Sequence, residues 1–483
     1  MRGKSQSLAC VQKQVKYMFL QIGSLAAILF CCTRKSRASL PVMGFPPLSS
    51  PPSIAIVGGG PAGLTLMRIL DVHLRDIDPL RNPKVTIFER DANQHSQTDQ
   101  IGTLDLHTYT GLAAMKAAEL FEEFQKHARY DGEELVIADK NGTELVHMHA
   151  GKGTTPGVEA TRPEIDRATL MDILLASVGT HRIIWGKKLT SVTEDKKLCF
   201  ADGSIFGPYD LIVGADGTWG KVRPILTSVR PRYSGICGFE SLIVDPDIKH
   251  PAIAKLFGRG AYFAFSDGKA MMAHRLGSGN IKLNYWIKSN ESFHSDVMKQ
   301  SDGQDDVLRD TLHDLYTDWL PILRKCIDVS QRFKSRALYE LPIGDRWDHR
   351  LGFTLMGDSA HLMTPFSGKG ANAAMRDGLD LAGAVIESLT QDKSLDECIK
   401  SYEEQMFMKI EEVQSLTMMN KQGMFRDDAP VGFMVDMMDV IAKAKGKDLN
   451  KGVLAWIPVK KMARLVAWVI VTAGAWKRRF TVL

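Results

Sequence analysis

The 483-residue chain has few cysteines, little net charge and no internal repeat, and each scarcity removes a class of protein. Its seven cysteines form no C-x-x-C pair and no metal-ligand spacing, so a cysteine-built zinc module is excluded and no metal is expected. That usage fits a folded body kept in a reducing compartment. The formal net charge of +5 comes without a polybasic tract in the body of the chain, so nucleic acid is not an expected partner. Without repeats or long low-complexity stretches, solenoids and disordered scaffolds fall away as well. What remains is an ordinary globular composition, long enough for two or three domains around a large core.

Only two segments depart from that average. Residues 17–33 carry no charge, include Ile22, Leu25, Ile28, Leu29 and Phe30, and have basic residues on both sides. The run is slightly short for a bilayer span and long for a signal-peptide core, and no convincing cleavage site follows. It is expected to be a signal anchor that leaves the folded body in a reducing compartment. A disordered extension on a cytoplasmic protein is the alternative. Residues 465–476 are apolar with basic ends, too short to span, and suit an interfacial helix or one packed on the core.

Between these ends the pattern is α/β. A Pro-rich linker closes the segment 1–52, and Ser53-Ile54-Ala55-Ile56-Val57 then reads as a buried parallel strand. Gly58-Gly59-Gly60-Pro61-Ala62-Gly63 turns the chain into a helix, and Lys84 to Phe88 forms the next strand, ending at Glu89 and Arg90. In this G-x-G-x-x-G spacing, Gly58 permits the tight turn, Gly60 lets backbone approach a pyrophosphate, and Gly63 allows close helix–strand packing. Glu89 is placed to accept from an adenosine ribose.

A second glycine-bearing block, Gly357 to Ala374, follows the strand Phe353 to Met356. Asp358 can accept from ribityl hydroxyls. Gly368 and Gly370 expose backbone N–H groups, and the helix starting at Ala371 and Asn372 offers its positive dipole end to the reduced ring of a flavin. His361 reads as structural. Between the two blocks, Asp216 follows the strand Asp210 to Val213; it is either a contact near the cofactor pyrophosphate or a helix N-cap. Residues 162–177 have helical spacing. From 229 to 350 the pattern becomes strand-like, with pieces at Tyr262–Phe265, Ala270–His274 and Ile281–Ile287 and turns at Asp267-Gly268 and Gly277-Ser278-Gly279. Segments 53–228 and 351–425 would then form one discontinuous cofactor domain, with sheet strands interleaved in its first part. Residues 229–350 would be the substrate sheet and 426–483 a C-terminal helical segment.

Those blocks, in that order, resemble the class A flavoprotein monooxygenases. Ile101-Gly102-Thr103-Leu104-Asp105-Leu106-His107, Pro163-Glu164-Ile165-Asp166-Arg167 and Tyr402 to Phe407 resemble the tetracycline-inactivating, TetX-type members. The resemblance implies a Rossmann-like FAD-binding domain of the glutathione-reductase and p-hydroxybenzoate-hydroxylase type, with an inserted antiparallel sheet and C-terminal helices. It implies noncovalent FAD contacted by Asp105, Arg167 and Asp358 beside Glu89 and Arg90, with NADPH or NADH as reductant and no second Rossmann domain. It also implies oxygen transfer from a flavin C4a-hydroperoxide, formed with O2, to a small organic substrate.

Departures lie at the reductant and substrate positions. Gln97 to Gln100 stand where the TetX group has a basic residue, and the substrate pocket falls at Glu240, Ala261, Asn284 and Pro365. A substrate other than tetracycline is expected, from secondary metabolism or a xenobiotic. A flavin halogenase would need a W-x-W-x-I-P motif, of which Ala455 to Pro458 is only a misplaced fragment. A non-catalytic module of the same fold is the non-enzyme alternative, and the intact Asp105, Arg167, Asp358 and Gly370 argue against it.

Overall fold

A computed structural model describes residues 51–97, 101–149, 162–301, 304–391 and 393–444. The chain divides into two compact units. One holds Ser50–Pro430 and Val471–Leu483; the other holds Met1–Ser49 and Val431–Ile470, of which the helix Val431–Ala444 is described. Both apolar end segments, 17–33 and 465–476, lie outside the described residues. Among the described residues no helix is long and apolar enough to cross a membrane.

In the larger unit the strands in chain order are β1 (Ser53–Val57), β2 (Lys84–Phe88), β3 (Thr103–Asp105), β4 (Leu135–Ala138), β5 (Glu144–Met148), β6 (Glu164–Asp166), β7 (Ile183–Ile184), β8 (Leu189–Val192), β9 (Leu198–Phe200), β10 (Ile205–Phe206), β11 (Leu211–Gly214), β12 (Arg232–Ile243), β13 (Ala261–Ser266), β14 (Lys269–Arg275), β15 (Ile281–Lys288), β16 (Gln331–Glu340) and β17 (Phe353–Leu355). Four helices matter for the site: α1 (Pro61–His73), α2 (Arg167–Ser177), α3 (Gly370–Thr390) and α4 (Leu395–Met424).

Five short strands form a parallel sheet in the order β17-β11-β1-β2-β7. They are nearly continuous apolar runs because both faces are covered, which parallel sheets require. Helices α1 and α3 cross closely over this layer: a Cβ on Gly378 would lie 3.0 Å from the Ala62 carbonyl oxygen. That crossing places the two helix starts, each reached from a glycine loop, side by side.

The second layer is a seven-stranded sheet, β16-β12-β15-β14-β13-β4-β5, antiparallel except for β13 with β4. It recruits β4 and β5 from far upstream of the 229–350 segment. Asp267 and Gly268, both at positive φ, make the β13–β14 hairpin turn, as a two-residue loop of this kind demands. Phe239, Tyr262, Met271 and Tyr285 share one face of the sheet and pack with Leu312, Tyr316 and Leu323 from the helices between 305 and 329 in a second core. The opposite face, two-residue alternates along each strand, is left for the site.

One element differs from its sequence reading. Residues 162–177 were expected to be helical throughout, but Glu164–Asp166 is strand β6 and the helix begins at Arg167. The reason is tertiary: β6 pairs with β3, Thr103 opposite Asp166 and Asp105 opposite Glu164.

Candidate active site

The first glycine loop divides into positions closed by protein and one left open. Gly58 has φ +111°, and a Cβ there would stand 2.2 Å from the Ala215 carbonyl oxygen. One on Gly63 would stand 2.2 Å from the Gly58 carbonyl oxygen. Gly60 is different, since a Cβ there meets nothing within 4 Å. Helix α1 starts at this point with Pro61 in its first turn and no side-chain cap, so its amide donors and positive dipole end face open space. Glu89 is buried at the end of β2, where Gly59 N–H donates to its Oε2 at 2.6 Å and Asp91 N–H to its Oε1 at 3.0 Å. Arg90 is exposed and 3.9 Å from Asp91.

In the second block, Gly357 takes φ +59° and its N–H donates to Asp377. A Cβ there would touch Ala374 of α3 at 3.2 Å and Ala62 of α1 at 3.4 Å. That tight seat turns Asp358 outward between the two helix starts. Asp358, Pro365 and Gly368 are exposed within a block whose other residues from Phe353 to Phe366 are mostly buried. Gly368, at φ +66°, precedes α3, which is uncapped by any side chain; Gly370 and Ala371 are partly exposed, and a Cβ on Gly370 meets nothing within 4 Å.

Asn372, expected at the cofactor, spends its side chain on the protein. Its Oδ1 accepts from His107 N–H, Thr110 Oγ1 and Gly111 N–H, and its Nδ2 donates to the Asp105 carbonyl at 2.7 Å. It is a clamp that holds the 105–111 loop against α3, leaving only its backbone for a ligand. Asp216 is likewise occupied: it accepts from Ser359 Oγ, Lys221 N–H and Val222 N–H. It caps no helix, since the short helix Arg223–Ile225 has Val222 at its N-cap without a side-chain bond; its carboxylate closes the turn after β11 instead. His361 is buried with its Nε2 2.6 Å from Asp377. Burial works against its charged form, but the charge and hydrogen bond of Asp377 outweigh it and its pKa is raised.

Asp105 lies beside Gly368, with its Oδ2 2.9 Å from His107 Nε2. Burial would raise its pKa, but the hydrogen bond and charge of His107 and the charge of Arg162 hold it lowered. Across the β3–β6 pair, burial pushes the Glu164 carboxyl up to about 7 despite Arg129. Arg167 opens α2, where a cation opposes the helix dipole. Burial lowers its pKa, and the charges of Asp358 and Glu240 raise it. Arg167 thus links the two layers electrostatically.

On the free face of the seven-stranded sheet, Glu240, Asn284 and Met272 stand in one row across β12, β15 and β14. Ala261, His274 and Lys282 form the next row. Lys282 Nζ donates to the Ile101 carbonyl at 2.9 Å, and Trp286 meets Phe366 edge-on at 6.2 Å. The face therefore looks onto the 101–105 strand and the Pro365 to Gly368 loop. Glu240, Ala261 and Asn284 share one face of the sheet, and Pro365 belongs to the loop whose Phe366 meets Trp286 on that face. His274 and Lys282 were missed, although the alternation 270-272-274 and 282-284-286 carries their signal. A surface cavity lined by Leu70, Asp71 and Arg182 lies at the other end of α1 and contains none of these residues. Of Gln97 to Gln100, residues 98–100 lie outside the described residues. No metal ligand was expected, yet Glu134, His147 and His149 bring ligand atoms within 4.8 Å of one another; none of them belongs to the face described above.

A profile of the FAD binding domain family matches residues 52–413. The chain belongs to that family. Monooxygenase asqM of Emericella nidulans is 31% identical over 68% of this chain and 82% of its own length. Monooxygenase penA of Penicillium thymicola is 30% identical over 76% of this chain and 94% of its own. Among solved structures, HpxO of Klebsiella pneumoniae with FAD and uric acid aligns with a TM-score of 0.62 at 19% identity, covering 82% of this chain and 92% of that one. Tetracycline destructase Tet(51) aligns with a TM-score of 0.59 at 16% identity, covering 82% and 96%, a likeness of fold. The chain is an FAD-dependent monooxygenase of the class A type. The residues around the two glycine blocks fit the cofactor: uncapped helix starts, glycines whose missing side chains leave open space, and an outward carboxylate at Asp358.

Proposed function

We propose that this monooxygenase uses NADPH or NADH to insert one oxygen atom from O2 into a small, largely apolar organic substrate of secondary metabolism or xenobiotic turnover. The observation that carries the reading is the pair of open glycines, Gly60 and Gly370, each at an uncapped helix start. FAD bound there supplies hydride acceptance and oxygen activation. Asp358, with Glu89 near the other end, would hold the cofactor's hydroxyl-bearing parts. Gly368 and Gly370 would let backbone N–H groups reach the ring edge, where the α3 dipole favours negative charge. Asp105 and Arg167 would stand at its substrate side. Met272, Trp286 and Phe366 are buried apolar side chains at this face, which favours exclusion of water during oxygen transfer.

The blocks 101–107 and 163–167, which resemble the TetX group, carry the paired strands β3 and β6 and would frame the cofactor, whereas the pocket residues Glu240, Ala261 and Asn284 depart from that group. Tetracycline is therefore not the proposed substrate. A single glycine fingerprint supports a reductant bound without its own Rossmann domain. The apolar run at residues 17–33 supports anchoring to a membrane, tested by fractionating full-length protein and a form lacking residues 1–50; equal solubility would end that reading. The enzymatic reading predicts yellow protein whose NAD(P)H oxidation rises with a cognate compound. Mass spectrometry should find a product heavier by one oxygen. Colourless protein that FAD cannot reconstitute would falsify it.

A further inference from the structure

The outer end of the seven-stranded sheet gathers two imidazoles and a carboxylate on one face. Glu134 precedes β4, and β5 pairs with that strand at the sheet margin, Leu135 opposite Met148 and Val136 opposite His147. One step further along this register sets Glu134 opposite His149. Side chains alternate along a strand, so His147 and His149 project from the same side of β5, with ring centroids 4.1 Å apart. Val136, opposite His147, belongs to the second core, whereas Leu135 aligns with Ala261. Glu134, His147 and His149 therefore stand on the helix-covered side of the sheet, across from the face that bears Glu240, Ala261 and Asn284.

The three donors converge. His147 Nε2 lies 2.9 Å from Glu134 Oε1, and one ligand atom from each of Glu134, His147 and His149 lies within 4.8 Å of the other two. Ligands at about 2.0–2.2 Å in a tetrahedron stand roughly 3.3–3.6 Å apart, so small side-chain rotations enclose an ion. The donors are also braced from behind. Glu134 Oε2 accepts from Arg259 N–H at 3.1 Å, which leaves Oε1 towards the histidines. The other ring nitrogen of His147, Nδ1, lies 3.4 Å from Glu144 Oε2, the kind of carboxylate that orients a ligating imidazole. Arg259 directs its own charge elsewhere, with Nε 3.2 Å from Asp131 Oδ2. An ion pair of Glu134 with His147 would account for those two side chains but not for His149. That ring has no hydrogen-bond partner among the described residues, yet it is held beside His147.

We propose that Glu134, His147 and His149 bind a divalent transition-metal ion of the zinc class, which pins strand β5 to the start of β4. Two imidazole nitrogens and one carboxylate oxygen suit zinc, whereas calcium and magnesium take oxygen ligands. Three protein ligands leave the fourth position to water. The role is structural. Among the described residues β5 has no further strand beside it, and an edge strand held only by one neighbour frays readily. An ion shared by residues at facing ends of β4 and β5 fastens that edge. The inference is independent of the monooxygenase reading, because the sheet itself separates the site from the face assigned to substrate.

The test is zinc binding by the FAD-loaded full chain, stripped with EDTA, desalted and dialysed against zinc chloride, with the metal measured by elemental analysis. Wild type should hold one equivalent of zinc more than a variant carrying His147→Gln and His149→Gln. X-ray absorption of that equivalent should show only nitrogen and oxygen neighbours at about 2.0–2.2 Å, two of them imidazole. Glu144→Gln leaves all three ligands in place and should weaken zinc by about 10-fold or more. Zinc should slow amide exchange across residues 144–148 in wild type and not in the double variant. Flavin content and NAD(P)H oxidation should stay at wild-type levels in every variant, which shows that the fold is intact. If the double variant does not fold, His149→Gln alone, at an exposed position, should weaken zinc by about 10-fold or more. Equal zinc content and affinity in wild type and the histidine variants overturns the proposal. So does sulfur in the shell of the extra equivalent, or exchange in 144–148 that zinc leaves unchanged.

Discussion

On the parallel-sheet side of the cleft the site is made by backbone, and on the seven-stranded sheet it is made by side chains. The first side works through what is absent. Gly60 and Gly370 have no Cβ where one would meet only open space, and two helices start without caps. The polar side chains there, Asn372, Asp216 and Asp377, are spent on bracing loops. The second side works through what is present: Asn284, His274, Lys282 and Glu240 project from adjacent strands, and only the last two are paired to each other. A backbone-built site suits a constant ligand such as the cofactor. A side-chain-built site can change its substrate one residue at a time while the sheet stays the same.

The sharpest way to break this comparison is a pair of alanines in one loop. Gly58→Ala forces a Cβ to 2.2 Å from a carbonyl oxygen at φ +111°, and backbone must move. A cost of about 3 kcal/mol or more is expected, visible as a fall in the unfolding midpoint of cofactor-free protein. Gly60→Ala meets nothing within 4 Å, so the cofactor-free protein should melt within about 0.5 kcal/mol of wild type while FAD content collapses. If Gly60→Ala keeps its flavin, the open space there is not a cofactor seat.

Asp358→Ala sharpens the same point with a smaller effect. The side chain is exposed and makes no described hydrogen bond, so the stability change should be confined to its lost attraction to Arg167 and His361. Loss of charge-assisted bonds to the cofactor should weaken FAD by roughly 10- to 100-fold, equivalent to about 1.5–3 kcal/mol. Equilibrium dialysis against FAD reads it directly, and wild-type affinity would remove Asp358 from the site.

These two sides were unequally legible in the sequence. Strands Ser53–Val57 and Lys84–Phe88 are readable because an apolar run ending in a glycine turn has few other meanings. Gly58, Gly60 and Gly63 declare themselves by spacing, since backbone geometry dictates glycine. Asn372 does not: its clamp needs His107, Thr110 and Gly111, some 260 residues earlier in the chain. Nor does β6, whose helical spacing yields to a partner strand beginning at Thr103. His274 and Lys282 look like any polar alternate on a strand until β14 and β15 are paired in register. Sequence reports local constraints well. Sites assembled across a sheet appear only when register is known.

The smallest effect, and the most direct contrast, is in pH dependence. On the parallel-sheet side His361 has a raised pKa: burial opposes its charge, but Asp377, with a contribution from Asp358, outweighs burial. Its folded form holds a proton beyond the ordinary 6.5, so the stability it contributes is full below that value. That contribution is lost as pH rises through the raised value. On the sheet side His274 has the opposite sign. Burial, Lys282 and Arg129 depress its pKa to about 4, with Asp105 opposing, so its contribution is present above 6.5 and lost as pH falls towards 4. Urea unfolding of wild type, His361→Gln and His274→Gln across about pH 4.5–8.5 separates the two. Relative to His361→Gln, wild type should lose stability on the alkaline side. Relative to His274→Gln, it should lose stability on the acid side. Two differences sloping the same way would mean that the two histidines do not differ in charge environment, and the contrast between a protonated His361 on the cofactor side and a neutral His274 on the sheet side would fall.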